Sequence, residues 1–122
     1  MDGTKYVLDT NAILYLLDGK KCMDPYKNED LYVSVITKME LLSFPDITDF
    51  ESQRLEGFLG ECTMVPIEEN IEKFSIEIRR KYRIKLPDTI VAATAIALNY
   101  PLVTADKGFR KIEELDLHLI EP

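Results

Sequence analysis

The sequence predicts an α/β fold: a three-layer α/β/α sandwich around a mostly parallel four- or five-stranded sheet. Short, almost wholly apolar runs recur along the chain, as expected of strands covered on both faces. Longer segments between them carry helical spacing and helix-start signals. Strands alternating with helices imply parallel pairing through right-handed crossovers.

The first strand is expected at residues 6–8 of KYVLDTN, followed by a helix at 11–17. A second strand at 31–35 leads into a short helix at 36–43, within SVITKMELL. Phe44-Pro45-Asp46 forms a connection, and Thr48 with Glu51 makes a capping-box pattern for a helix at 48–59. Gly60-Glu61-Cys62 then leads to a strand at 63–65. The helix expected at 68–83 shows Ile67, Ile71, Phe74, Ile78 and Tyr82 at helical spacing, one stripe to be buried. Pro87 suits a first helical position for a helix at 87–99. The run PLVTAD supplies a strand at 102–104, a helix is expected at 107–114, and a last strand at 118–120. No repeat or low-complexity tract divides residues 1–122, which read as one domain.

Composition narrows the function. The formal net charge of the 122 residues is −7, so any polyanion must be met by a local basic patch or by bound metal. Cys22 and Cys62 form no CxxC and no disulfide framework, which suits a reducing cytoplasm. No apolar export segment opens the chain, because Asp2, Lys5, Asp9 and Asp18 interrupt it. The uncharged run from Thr89 to Ala105 is broken by Pro101 and reads as a buried helix followed by a buried strand, so no membrane association is expected.

Four acids stand where such a fold aims side chains at one crevice. In an open parallel sheet, ligands bind beyond the carboxyl ends of the strands. Asp9 and Asp106 directly follow apolar runs, Asp88 lies in the first turn of its helix, and Glu40 lies about one turn into a helix that leaves a strand end. If the four converge, their repulsion is costly unless a divalent cation is held there, which points to metal-dependent phosphoryl transfer. Each acid also has a plainer role. Asp9 could cap the helix near Asn11, Asp88 could complement a helix dipole, Glu40 could face solvent and Asp106 could belong to a turn.

LDTNAILYLL, SVITKMELL and LPDTIVAATAIALNYPLVTAD, with Phe109 beyond them, resemble the acid-bearing segments of the PIN-domain ribonucleases. The resemblance is greatest to the VapC-like toxins of toxin–antitoxin pairs and runs essentially end to end. It implies a PIN-like fold, with Asp9, Glu40, Asp88 and Asp106 as metal-binding and catalytic residues for Mg²⁺ or Mn²⁺. It implies that Thr104 positions a carboxylate or a water, and that Asn11 supports the first acid or meets RNA. Many relatives carry another acid where this chain has Gly108, which implies a weaker second metal. It also implies an RNA substrate, a cognate antitoxin whose arginine enters the acidic site, and a homodimer.

Other chemistries fit less well. A metal-free ribonuclease needs two histidines, and His118 is the only one; nucleophilic schemes would pass through it as well. No Gly-rich phosphate loop is present. A receiver domain would need an acid ending the strand that instead meets Pro66, and a lysine ending a later strand. A PIN-fold module that binds RNA or protein without cutting stays open. The basic stretch Arg79-Arg80-Lys81-Tyr82-Arg83-Ile84-Lys85 and the cluster Lys107, Arg110 and Lys111 flank the acids. Arg79, Arg80, Arg83 and Lys107 are the candidate RNA contacts; the plainer alternative is a solvated helix face with pairs such as Glu77 to Lys81.

Overall fold

The computed structural model describes residues 3–122. Strands β1 (Lys5–Leu8), β2 (Asp30–Ser34), β3 (Thr63–Val65), β4 (Leu102–Thr104) and β5 (Leu117–Leu119) form one sheet in the order β3-β2-β1-β4-β5. Every neighbouring pair is parallel. Five α-helices intervene: α1 (Thr10–Leu17), α2 (Val35–Leu42), α3 (Asp49–Glu61), α4 (Glu69–Tyr82) and α5 (Leu86–Leu98).

Alternation along the strands builds the two outer layers. Val7 and Leu102 face one core with residues of α4 and α5, including Ile71, Ile78, Val91 and Ala95. Leu8 and Val103, one residue on, face the other core with Ala12, Ile13, Leu41, Leu55 and Leu59. The expected α/β/α sandwich is therefore present, with all five strands parallel. The uncharged run from Thr89 to Ala105 is α5 followed by β4, and most of it is buried. Among the described residues no helix is long and apolar enough to cross a membrane.

Local chemistry sets the boundaries. Ser34 Oγ accepts from the Ile36 N–H at 3.2 Å, ending β2 and starting α2, so Val35 belongs to the helix and not to the expected strand. Thr48 and Glu51 form the expected capping box, with both reciprocal bonds at 3.0 Å. Ile67 precedes α4 and is exposed, so the buried stripe of that helix begins at Ile71. The segment after Asp106 is a short 3-10 turn, Lys107–Lys111, and not the expected longer helix. Phe109 holds that turn down: it is 1% exposed, and burying such a ring is worth about 2–3 kcal/mol.

The order of the strands fixes where a ligand site belongs. From β1 the chain moves outward through β2 to β3, then returns to the other side of β1 with β4 and β5. The sheet's switch point lies between β1 and β4, and the crevice beyond their carboxyl ends is the binding position of such sheets.

Candidate active site

Asp9 and Thr104 stand at that switch point. The register pairs Leu8 with Val103, so the next residue of each strand end meets across the crevice. Asp9 is the N-cap of α1, and its Oδ1 accepts from the Thr10 N–H at 2.8 Å. Its Oδ2 accepts from the Thr104 hydroxyl at 2.9 Å. Capping and membership of the acidic crevice, set against each other in the sequence, are both true of Asp9.

The Thr104 hydroxyl has its full hydrogen-bonding capacity in use. While donating to Asp9, it accepts from Asn11 Nδ2 at 3.2 Å and from the Asp106 N–H at 3.0 Å. Asn11 Oδ1 accepts from the Ala105 N–H at 2.9 Å, which fixes the amide because a backbone N–H can only donate. Asn11 thus joins α1 to the end of β4 with both ends of its amide. These bonds make it a support for Asp9 and Thr104 in the crevice wall, where it is half-buried.

The other three acids arrive from separate elements. Glu40, half-buried on α2, accepts from the Thr10 hydroxyl at 3.2 Å. Asp88, also half-buried, lies in the first turn of α5. Asp106 is exposed, and its Oδ1 accepts from the Gly108 N–H at 2.8 Å. A Cβ on Gly108 would meet that same oxygen at 3.0 Å, so the glycine leaves room for the turn that orients Asp106.

Burial first, and neighbouring negative charge second, raise the proton affinity of Asp9 and Asp88. Burial pushes the Asp9 carboxyl above its ordinary range, the Thr10 N–H and Thr104 hydroxyl partly offset this, and the charges of Glu40 and Asp106 push it further. Asp88 is raised by burial and then by Asp9 and Asp106, with Lys85 opposing. Four acids from distant segments therefore share one electrostatic environment. Among the described residues no three His, Cys, Asp or Glu side chains form a ready-made metal cage. An open set of oxygen donors of this kind suits a cation that keeps several waters.

A cleft of about 280 Å³ is lined by Asp88 and Asp106 together with Arg83, Lys85 and Lys111. Arg79 joins Arg83 and Lys85 around an adjoining hollow of about 300 Å³, while Arg80 and Lys107 are exposed and line neither. Lys81 pairs with Glu114 at 3.5 Å and not with Glu77. Lys85, Lys111 and Thr10 were not singled out from the sequence. The two lysines did lie in the basic clusters, but which members face the acids depends on where α4 and the 3-10 turn end. Cys62 takes no part: burial and Glu61 push its thiol up to about 11.

Fold and site together define an α/β domain with an acidic crevice at the switch point of a parallel sheet. The PIN domain family matches residues 6–115. The chain is 32% identical over 124 residues to Ribonuclease VapC of Rickettsia bellii, covering 91% of this chain and 92% of that one. This protein belongs to the PIN-domain family, in its VapC branch. Solved structures agree in fold. VapBC2 from Rickettsia felis, bound to a fragment of its promoter DNA, gives a TM-score of 0.81 at 23% identity, covering 97% of this chain and 100% of that one. A toxin–antitoxin complex from Klebsiella pneumoniae gives 0.77 at 27%, covering 90% and 94%. VapBC-1 from nontypeable Haemophilus influenzae gives 0.81 at 24%, covering 95% and 98%.

Proposed function

We propose that this protein is a Mg²⁺- or Mn²⁺-dependent endoribonuclease and the toxin of a VapBC-like pair. The observation that carries the reading is the coupling of Asp9 to Glu40, Asp106 and Asp88 at one crevice, with Thr104 and Asn11 fixing Asp9. The name of the Rickettsia bellii relative supports a ribonuclease. The donor set fits the cation: carboxylate oxygens only, clustered at an energetic cost that a divalent charge would offset. Asp9, with Asp88 or Asp106, would hold it, and Glu40 would be a ligand or orient the attacking water. Bound there, Mg²⁺ or Mn²⁺ would lower the pKa of water and neutralise phosphoryl oxygens.

The chain's own residues perform the positioning. Thr104 and the Thr10 N–H hold both oxygens of Asp9, so its geometry is set before substrate arrives. The Gly108 N–H aims Asp106, and the Thr10 hydroxyl steadies Glu40. Hydrolysis then adds water to the phosphorus of an RNA phosphodiester and breaks the bond to the leaving ribose oxygen. Glu40 would orient that water and take its proton, and the leaving ribose oxygen would take a proton from solvent.

The VapBC complexes among the structural neighbours support a cognate antitoxin as partner. A site that attracts cations would accept an arginine from that partner by the same electrostatics. A homodimer rests on the family resemblance and is checked by light scattering of the purified protein. For the activity, purified protein is incubated with RNA and Mn²⁺, with and without chelator, beside Asp9→Asn. Cleavage that needs metal and disappears in the variant is expected; equal cleavage by Asp9→Asn contradicts the mechanism, and RNA left intact by the wild type makes the non-catalytic PIN-fold module the better reading.

A further inference from the structure

Two helices of this protein end in the left-handed region, with very different residues. At the end of α5 the cap is Asn99, at φ 60° and ψ 42°, a residue type that tolerates this geometry. At the end of α4 the cap is Arg83, at φ 55° and ψ 44°. Glycine or asparagine is the ordinary choice there, and arginine gains nothing from the backbone. Strained positions of this kind mark places where the side chain serves another purpose. Arg83 lines the cleft beside Asp88 and Asp106, and the residue two further on, Lys85, lines it as well. Lys111 closes the set from the 3-10 turn anchored by buried Phe109.

Two separated segments, the α4–α5 connection and the 3-10 turn, therefore bring three cations to one hollow next to the acidic crevice of a protein whose net charge is −7. None of the three is used in a salt bridge among the described residues, whereas Lys81 of the same basic stretch is paired with Glu114. Free cations beside mutually repelling carboxylates have a polyanion as their fitting ligand, and phosphates meet guanidinium and ammonium groups directly.

We propose that Arg83, Lys85 and Lys111 form a phosphate subsite that grips the RNA backbone next to the scissile phosphodiester, with Arg83 as its main positioning residue. The proposal rests on the ribonuclease reading. It goes further by fixing which cations hold the strand and which cleft the strand enters.

The backbone strain makes the test decisive, because Arg83→Gly removes the guanidinium while relieving the cap. Binding of a short fluorescein-labelled single-stranded RNA is measured by anisotropy without divalent metal, so that cleavage plays no part. Arg83→Gly is expected to melt at or above the wild-type temperature yet bind about tenfold more weakly. The slope of log affinity against log salt should fall by about one unit. Lys111→Gln should weaken binding in the same sense, while Arg83→Lys should restore part of it.

Unchanged RNA affinity in both Arg83→Gly and Lys111→Gln overturns the subsite, even if metal-dependent cleavage is intact. No RNA binding by the wild type overturns it too. Loss of binding to a polyglutamate peptide with RNA binding unaffected would assign the cations to an acidic protein segment instead. Weakened RNA binding in a protein that cuts nothing would sustain the subsite while removing the nuclease reading.

Discussion

The Thr104 hydroxyl lies 2.9 Å from Oδ2 of Asp9, joining residues 95 positions apart in sequence at the switch point of the sheet. That hydroxyl is also the shared acceptor for Asn11 and the Asp106 N–H, so one oxygen sets two of the four acids. Thr104→Val keeps the shape and removes the hub. It should cost about 1–3 kcal/mol in thermal or denaturant unfolding and lower Mn²⁺ affinity roughly tenfold or more, with Thr104→Ser close to wild type. A fully active, equally stable Thr104→Val protein would falsify the hub.

Asn11 gives a kinetic contrast. Its amide is occupied by Ala105 and Thr104, so Asn11→Ala should lower kcat about tenfold and leave KM for RNA little changed. A residue that gripped RNA would show the reverse, a raised KM with kcat retained.

The pH dependence follows from Asp88. Its folded carboxyl is raised by burial and by Asp9 and Asp106, so the folded state holds that proton more tightly than the unfolded chain. Its stabilising contribution is fully present below the unfolded carboxylate range and is lost as pH rises through the raised folded value. Near neutral pH the charged form works against folding. Asp88→Asn should therefore raise the metal-free melting temperature there by roughly 2 °C, and the gain should vanish in acid. A melting temperature that drops at neutral pH would show that Asp88 does not share the repulsive site.

Gly108 stands where the family resemblance implies a further acid, and the space around it is already committed. A methyl there would press on Asp106 Oδ1 at 3.0 Å, although the backbone needs no left-handed φ at this position. Gly108→Ala should fold normally and lose about threefold or more in kcat as Asp106 turns. Gly108→Asp should not tighten metal binding, since the same crowding precedes any added ligand. A gain in Mn²⁺ affinity by calorimetry would show that the fifth acid fits.

Much of this was legible along the chain because local signals and tertiary demands agree. Runs such as YVL and LVT are too short and apolar to be anything but covered strands, and Thr48 with Glu51 announced a helix start that the structure keeps. The positions of the four acids relative to strand ends and first turns followed from the same pattern. What stayed hidden depends on three-dimensional register. An arginine carries no sign that it will adopt the left-handed cap of α4, and nothing local tells Arg83 and Lys85, in the cleft, from Arg80, outside it. The bonds that tie Asn11 to Thr104 and Ala105 exist only because β4 lies beside β1, which no local signal gives. Ile67 matched the helical spacing of a stripe that begins only at Ile71, because period alone does not say where a helix starts.

The claim on which the rest depends is that Asp9, Glu40, Asp88 and Asp106 form one divalent-cation site. Anomalous scattering from crystals soaked in Mn²⁺ tests it most directly. The predicted result is a peak about 2.0–2.2 Å from a carboxylate oxygen of Asp9, shared with Asp88 or Asp106 and absent in Asp9→Asn. Crystals of a preparation that cleaves RNA, saturated with Mn²⁺ yet showing no peak among these four acids, would contradict it.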